Sequence, residues 1–78
     1  MTNNIYWQKV AEIADKAGLI EVLTKIVSWQ MNPNDPNDFR RQQEAIDLIN
    51  HLAKGDDYEH IARVFLHNHS DQLAVREG

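Results

Sequence analysis

Four histidines lie in the second half of the chain, and imidazole is a common protein ligand for zinc. They are His51, His60, His67 and His69. On one helix His60 and His67 would be about 10 Å apart along the axis, too far to bind one ion. The best ligand pair is Asp47 and His51, four residues apart and on one helix face with Glu44. A His-dependent metal-binding protein is therefore one alternative function, although solvated polar side chains are the simpler explanation.

Residues suited to covalent or acid–base catalysis are few. The chain has no cysteine, no Gly-rich phosphate loop and two serines, Ser28 and Ser70. His69 directly precedes Ser70, but adjacent residues do not form a catalytic triad, whose members meet in space with defined roles. A helical chain of 78 residues also has little room for a substrate cleft. The sequence predicts a protein that is not an enzyme and that uses no cofactor and no metal.

The segment 32–38, Asn-Pro-Asn-Asp-Pro-Asn-Asp, has the oxygen-rich side chains of a calcium loop. A twelve-residue calcium loop needs Gly at its sixth position and Glu at its twelfth. Counted from Asn32 or from Asn34, neither residue is present. The segment is therefore interpreted as a rigid turn that ends one helix and caps the next.

A short stretch around Gly18 resembles the helix-turn-helix of bacterial repressors. Residues 13–27 contain the small residue, the turn Gly and the following apolar residue of that motif. The resemblance implies a DNA-binding regulator, our first alternative function. At the positions that would face base edges, however, the chain has a carboxylate among apolar side chains: Ile20, Glu21, Val22 and Leu23. An ordinary pair of helices with Gly at the first helix end explains the same residues.

The elements that carry these residues belong to a small acidic globular protein. The formal charge is −4 and the pI about 5.4, so we expect no general attraction to nucleic acid. No segment approaches the about 20 apolar residues of a membrane span, and residues 1–7 lack a basic leader pattern. We expect a soluble, cytoplasmic protein with one domain spanning residues 1–78.

Apolar periodicity and capping residues predict four helices, at about 4–17, 19–31, 38–54 and 57–68, with residues 70–78 as a loose tail. Asn3 or Asn4 is the expected first cap, and Gly18 and Gly55 are expected to end the first and third helices. Asn37 or Asp38 should cap the third helix. Asp56 and Glu59 have the spacing of an acidic capping box for the fourth. The fold class is all-α, a compact four-helix domain made of two helical hairpins joined by the Asn/Asp/Pro loop.

Helices two and three have wider apolar faces than a minimal four-helix domain needs. The excess is either core or an interface, and the sequence leaves both open. For an interface, aromatic and Met side chains contribute large contact area, and the candidates are Tyr6, Trp7, Trp29 and Met31.

We therefore predict a small protein–protein interaction module, a regulator or inhibitor that forms a homodimer. The protein partner would have a basic surface, because acidic residues are expected to form an exposed patch. That acidic surface comprises Asp35, Asp38, Asp56, Asp57 and Glu59.

Overall fold

The computed structural model describes the backbone of residues 4–77 and the side chains of residues 5–75. This part of the chain contains five helices and no strand, which confirms the all-α class. The helices are α1 (Asn4–Ile13), α2 (Lys16–Ser28), α3 (Pro36–Lys54), α4 (Glu59–Asn68) and α5 (Ser70–Glu77). No helix in this range is long and apolar enough to cross a membrane.

The break between the first two helices is earlier than predicted. Helix α1 ends at Ile13, and Asp15 caps α2 by accepting a hydrogen bond from the Gly18 backbone N–H at 2.8 Å. Gly18 is therefore in the first turn of α2, and the prediction that it ends the first helix is wrong. A carboxylate three residues before a free N–H starts a helix more effectively than Gly18 stops one. The expected cap Asn3 lies outside the described residues.

Helix α2 also ends early, so Trp29 and Met31 lie in the loop that follows. Helix α3 begins at Pro36, whose fixed φ suits the first helical position. Its cap is Asp35, which accepts a hydrogen bond from the Asn37 N–H at 3.0 Å. The predicted caps Asn37 and Asp38 are instead inside the first turn, which corrects that prediction.

The end of α3 is as predicted. Gly55 is left-handed, with φ of 92°, and its N–H donates to the Leu52 carbonyl at 3.1 Å. The expected capping box at Asp56 and Glu59 is not formed, because α4 begins at Glu59 and its cap residue Tyr58 makes no side-chain hydrogen bond. The Asp56 carboxylate binds back to His51 instead.

The predicted loose tail is a helix. Helix α5 buries Leu73 completely and Ala74 almost completely, and it packs mainly on α1. An eight-residue helix is marginal by itself, so the tertiary contact supplies the stability that local sequence cannot.

The helices pair differently from two hairpins separated by the loop. Helix α2 packs most extensively against α3, so the Asn/Asp/Pro loop joins a hairpin instead of separating two. Helix α1 packs on α4 and α5, and it has only marginal contact with α2. The hydrophobic core lies between these two groups and draws on every helix; its members are Trp7, Ala11, Leu19, Val22, Leu23, Ile26, Ala45, Leu48, Leu52, Ala62, Phe65, Leu66, Leu73 and Ala74.

Candidate functional site

Three of the aromatic side chains expected at an interface form one cluster. The rings of Trp7 and Trp29 meet edge-to-face with centroids 5.9 Å apart, and Tyr6 meets Trp7 in the same way at 5.2 Å. Trp7 is 1% exposed and belongs to the core, which corrects its prediction as an interface anchor. The Trp7 side chain belongs to the hydrophobic core, so only Tyr6 of the pair on α1 reaches the surface.

The loop after α2 holds the other two predicted interface residues. Trp29 is half-buried, and its carbonyl accepts a hydrogen bond from the Gln42 amide at 2.8 Å. Met31 is also half-buried beside a shallow depression shared with Gln30 and Pro33. Trp29 packs against the hydrophobic core as well as against Trp7.

The five carboxylates predicted as an acidic surface do not form one patch. Asp35 and Asp38 are at the start of α3, whereas Asp56, Asp57 and Glu59 follow its end. Helix α3 has 19 residues and is therefore about 28 Å long, so the two groups are far apart. Asp38 is only 5% exposed, so including it in a surface was wrong.

Asp38 instead forms a buried ion pair with Arg41 one turn along α3. Its second oxygen accepts the Asn32 backbone N–H at 3.1 Å, and Arg41 donates to Gln72 of α5 at 3.4 Å. The pair thus connects the loop, α3 and α5 beside a cavity of about 300 Å³. The Nε of Arg41, itself buried, has no hydrogen-bond partner among the described side chains and backbone.

The histidines are dispersed, and the part of the chain that is described holds no group of three metal-ligating side chains. His51 does not turn towards Asp47; its Nδ1 lies 2.9 Å from Asp56, and its ring stacks on Tyr58 at 4.0 Å. His69 Nδ1 lies 2.8 Å from the Phe65 carbonyl at the end of α4. Both histidines therefore make contacts at the C-terminal ends of α3 and α4, which is a structural role.

The segment that resembles a helix-turn-helix has two of its four expected DNA-reading residues inside the core, whereas Ile20 is half-buried and Glu21 is exposed. Val22 is buried and Leu23 has no exposed surface, so neither can contact a base edge. Helices α1 and α2 also lack the mutual packing of that motif. The geometry does not favour a DNA-binding role for residues 13–27.

Resemblance to known proteins does not decide among the remaining functions. Comparison with protein-family models, with curated proteins and with solved structures found no match. The candidate sites therefore follow from surface chemistry alone, and two of the exposed apolar surfaces of the described residues are candidates.

The first surface is the outer side of α1, which we call the α1 face. It surrounds a shallow depression of about 520 Å³ lined by Tyr6, Lys9, Val10, Ile13, Ala14 and Asp15. Ile13 is 78% exposed, more than any other large apolar side chain of the described residues. Because the depression is on the outside of a single helix, it suits contact with another surface better than enclosure of a small molecule.

The second surface is a small groove between α3 and α4, which we call the α3–α4 groove. Its lining is Glu44, Asp47, Leu48, Ile61 and Phe65, around about 180 Å³. Leu48 and Phe65 are buried at its floor, and Ile61 is half-exposed at its edge. The two carboxylates lie along one side, on successive turns of α3.

Sequence reasoning identified Tyr6 but missed Ile13, Ile61 and the Arg41 ion pair as notable residues. At 100° per residue, Tyr6, Trp7 and Ile13 span an arc of about 120°, the ordinary width of one buried helix face, so the sequence contains no signal that Ile13 is exposed. The spacing of Asp38 and Arg41, three residues apart, was by contrast visible as an intrahelical pair.

Proposed function

We propose that this protein is a small, non-enzymatic protein-interaction module that associates with a second copy of itself through the α1 face. The observation that carries the proposal is the exposure of Ile13 beside Tyr6 and Val10 on one side of a helix. Isolated exposed apolar residues are normal, but a contiguous apolar stripe rimmed by polar residues is typical of interaction sites. A regulatory role in the cytoplasm is part of the same proposal, and the lack of cysteine is compatible with it.

The arrangement of apolar residues on α1 favours a second copy as the occupant. Tyr6 and Ile13 are two helical turns apart, with Val10 between them. An antiparallel copy related by a twofold axis beside Val10 places Tyr6 of one copy near Ile13 of the other. The apolar stripe of one copy then opposes the same stripe of the other, as an isologous interface requires.

The size of the face implies a weak dimer. Ten helical residues are about 15 Å long, and the helix is about 10 Å wide, so α1 alone covers well under the about 800 Å² per partner of a stable complex. We therefore expect a transient dimer with a dissociation constant on the order of 100 µM.

Sedimentation equilibrium over about 10 µM to 1 mM brackets that dissociation constant and tests the proposal. Wild type should progress from monomer to dimer across the series. Ile13→Lys should weaken dimerisation at least about tenfold, because it buries a charge without a partner while the cation still suits the helix C-terminus.

The matched control is Ile61→Lys, the same substitution at a half-exposed position on α4, which should dimerise like wild type. Circular dichroism checks that both variants keep their helices. Wild type that stays monomeric up to about 1 mM, or an Ile13→Lys variant that dimerises normally, contradicts the proposal.

A further inference from the structure

We propose that the α3–α4 groove binds a basic amphipathic helical segment of a partner protein, with an apolar side chain in the groove and Lys or Arg side chains on Glu44 and Asp47. This site goes beyond self-association, because it uses other helices and takes a different occupant. The size of the groove, its apolar floor and its charge favour this occupant.

The volume selects the kind of ligand. At about 180 Å³ the groove is smaller than the about 300–1,000 Å³ of small-molecule sites. It has room for one apolar side chain. A groove of this size between two helices therefore suits an anchor residue of a longer segment, in the way that helices bind along hydrophobic grooves.

The floor supplies apolar contact area where the anchor would bind. Leu48 and Phe65 form the buried floor, and Ile61 remains 48% exposed at the edge. Val64 is also exposed, and it lies three residues after Ile61, on the same side of α4. The apolar strip therefore continues beyond the groove along α4, which provides contact for a second apolar residue one turn along the partner helix.

The charge of the groove selects a basic partner. Glu44 and Asp47 are exposed, and among the described side chains neither carboxylate has an ion-pair or hydrogen-bond partner. The groove lining has two acidic residues and, within the described chain, no basic one. Arg41, three residues before Glu44, is the nearest basic residue along the helix, and it is paired with Asp38. Arg40, four residues before Glu44, forms no ion pair with it among the described side chains. Complementary charges at a groove rim select the partner and orient it.

The spacing of the two carboxylates also predicts the spacing of the basic residues in the partner helix. Glu44 and Asp47 are three residues apart, so they are about 4.5 Å apart along the α3 axis. A partner helix meets both when its basic residues are three or four positions apart. The inferred ligand therefore has apolar residues on one side and Lys or Arg at helical spacing along the edge.

The test uses the full chain and a synthetic peptide of about 15 residues, built from Leu, Lys and Ala, with Leu and Lys each at helical spacing. Fluorescence anisotropy of the dye-labelled peptide should give a dissociation constant on the order of 10 µM. A control peptide with Glu in place of every Lys should bind at least about tenfold more weakly, because the carboxylates repel it.

Charge variants distinguish the groove from the general negative charge of the protein. Glu44→Gln/Asp47→Asn should weaken peptide binding about fivefold to tenfold. The control pair Glu21→Gln/Asp57→Asn changes the net charge equally at two exposed positions elsewhere and should stay within about twofold of wild type.

Apolar variants separate this site from the α1 face. Ile61→Lys should abolish peptide binding and leave dimerisation unchanged. Ile13→Lys should weaken dimerisation and leave peptide binding unchanged. Four results would overturn the proposal. The first two are no binding of the Lys peptide and binding of the Glu peptide as tight as that of the Lys peptide. The others are an equal loss of affinity in the groove and control charge variants, and a loss of peptide binding in Ile13→Lys but not in Ile61→Lys. None of these bears on dimerisation, so the two proposals can fail separately.

Discussion

At the scale of single residues, the buried pair of Asp38 and Arg41 is the most constrained polar feature of the described chain. Both side chains are about 95% buried, since the residues are 5% and 6% exposed. Removing two charges from water is costly, and their attraction offsets that cost only while both are present. The pair therefore behaves as a unit whose members cannot be replaced one at a time.

Asp38→Leu should lower the free energy of unfolding by about 3–5 kcal/mol, because it leaves the Arg41 guanidinium buried without a counter-charge. It also removes the acceptor of the Asn32 N–H. The double variant Asp38→Leu/Arg41→Met should be more stable than Asp38→Leu alone, since no unpaired charge remains. Urea unfolding followed by circular dichroism measures both.

Asp57→Leu is the control, because Asp57 is exposed and should change stability by no more than about 0.5 kcal/mol. If Asp38→Leu were as stable as wild type, or if the double variant were the less stable of the two, the pair would not be the coupled unit described above.

The two internal glycines have different roles at the scale of elements. Gly55 has a φ of 92°, and an added Cβ would meet nothing within 4 Å. Gly55→Ala should therefore cost about 1–2 kcal/mol of unfolding free energy, purely from the left-handed backbone.

Gly18 lies in a helix, where Ala is favoured by about 1 kcal/mol, but a Cβ there would be 3.2 Å from the Asp15 carboxylate that caps α2. The two effects oppose each other, so Gly18→Ala should change stability by less than about 1 kcal/mol. Thermal unfolding of the two variants side by side checks the contrast, and a more harmful change at Gly18 than at Gly55 would contradict it.

Helix α5 contributes to the core through one face. Leu73 is completely buried, so Leu73→Ala should cost about 2–5 kcal/mol by removing contacts and leaving a cavity. Val75 is exposed on the other side of the same helix, so Val75→Ala should stay within about 0.5 kcal/mol of wild type. Equal effects of the two substitutions in chemical denaturation would show that α5 does not pack as described.

The elements differ in how far sequence could predict them. The end of α3 was predictable because Gly55 is the only good stop after a long apolar period. The start of α2 was not, since Asp15 and Gly18 are competing signals three residues apart, and the side-chain cap prevails. Helix α5 has too few apolar residues for a clear period, and it is helical because α1 covers Leu73.

Pairing of the helices, at the scale of the whole molecule, could not be derived from local signals. A loop with two Pro residues looks like a boundary, yet it lies inside the most extensive helix pair, α2 with α3. The same limit applied to the sites. An apolar arc shows that a helix is amphipathic, but only the neighbours decide that Trp7 is buried and Ile13 exposed.

Net charge gives the two proposed interactions opposite responses to salt. Raising the ionic strength from about 0.05 M to 0.5 M shortens the screening length severalfold. Two copies that each have a formal charge of −4 repel less when screened, so dimerisation should strengthen or stay within about twofold. Binding of the Lys peptide to the α3–α4 groove should weaken at least about tenfold.

Repeating the sedimentation and anisotropy measurements at both salt levels tests this. Dimerisation that weakens in parallel with peptide binding would mean that ion pairs, and not the apolar stripe of the α1 face, hold the two copies together.

The packing of α1 on α4 and α5 also determines when α1 can be buried while the chain is being synthesised. Helix α2 can pair with α3 as soon as that hairpin has emerged from the ribosome, but α1 must wait for partners that are translated later. From Ile13 to Asn68 there are 55 residues, which take about 3–11 s to synthesise at 5–20 residues per second. Throughout that interval α1 lacks its packing partners α4 and α5, and of the aromatic contacts of Trp7 only those with Tyr6 and Trp29 are available. Among the described helices, α1 is thus translated before the other four and is among the last to be buried, and it is where a chaperone would find this protein during its synthesis.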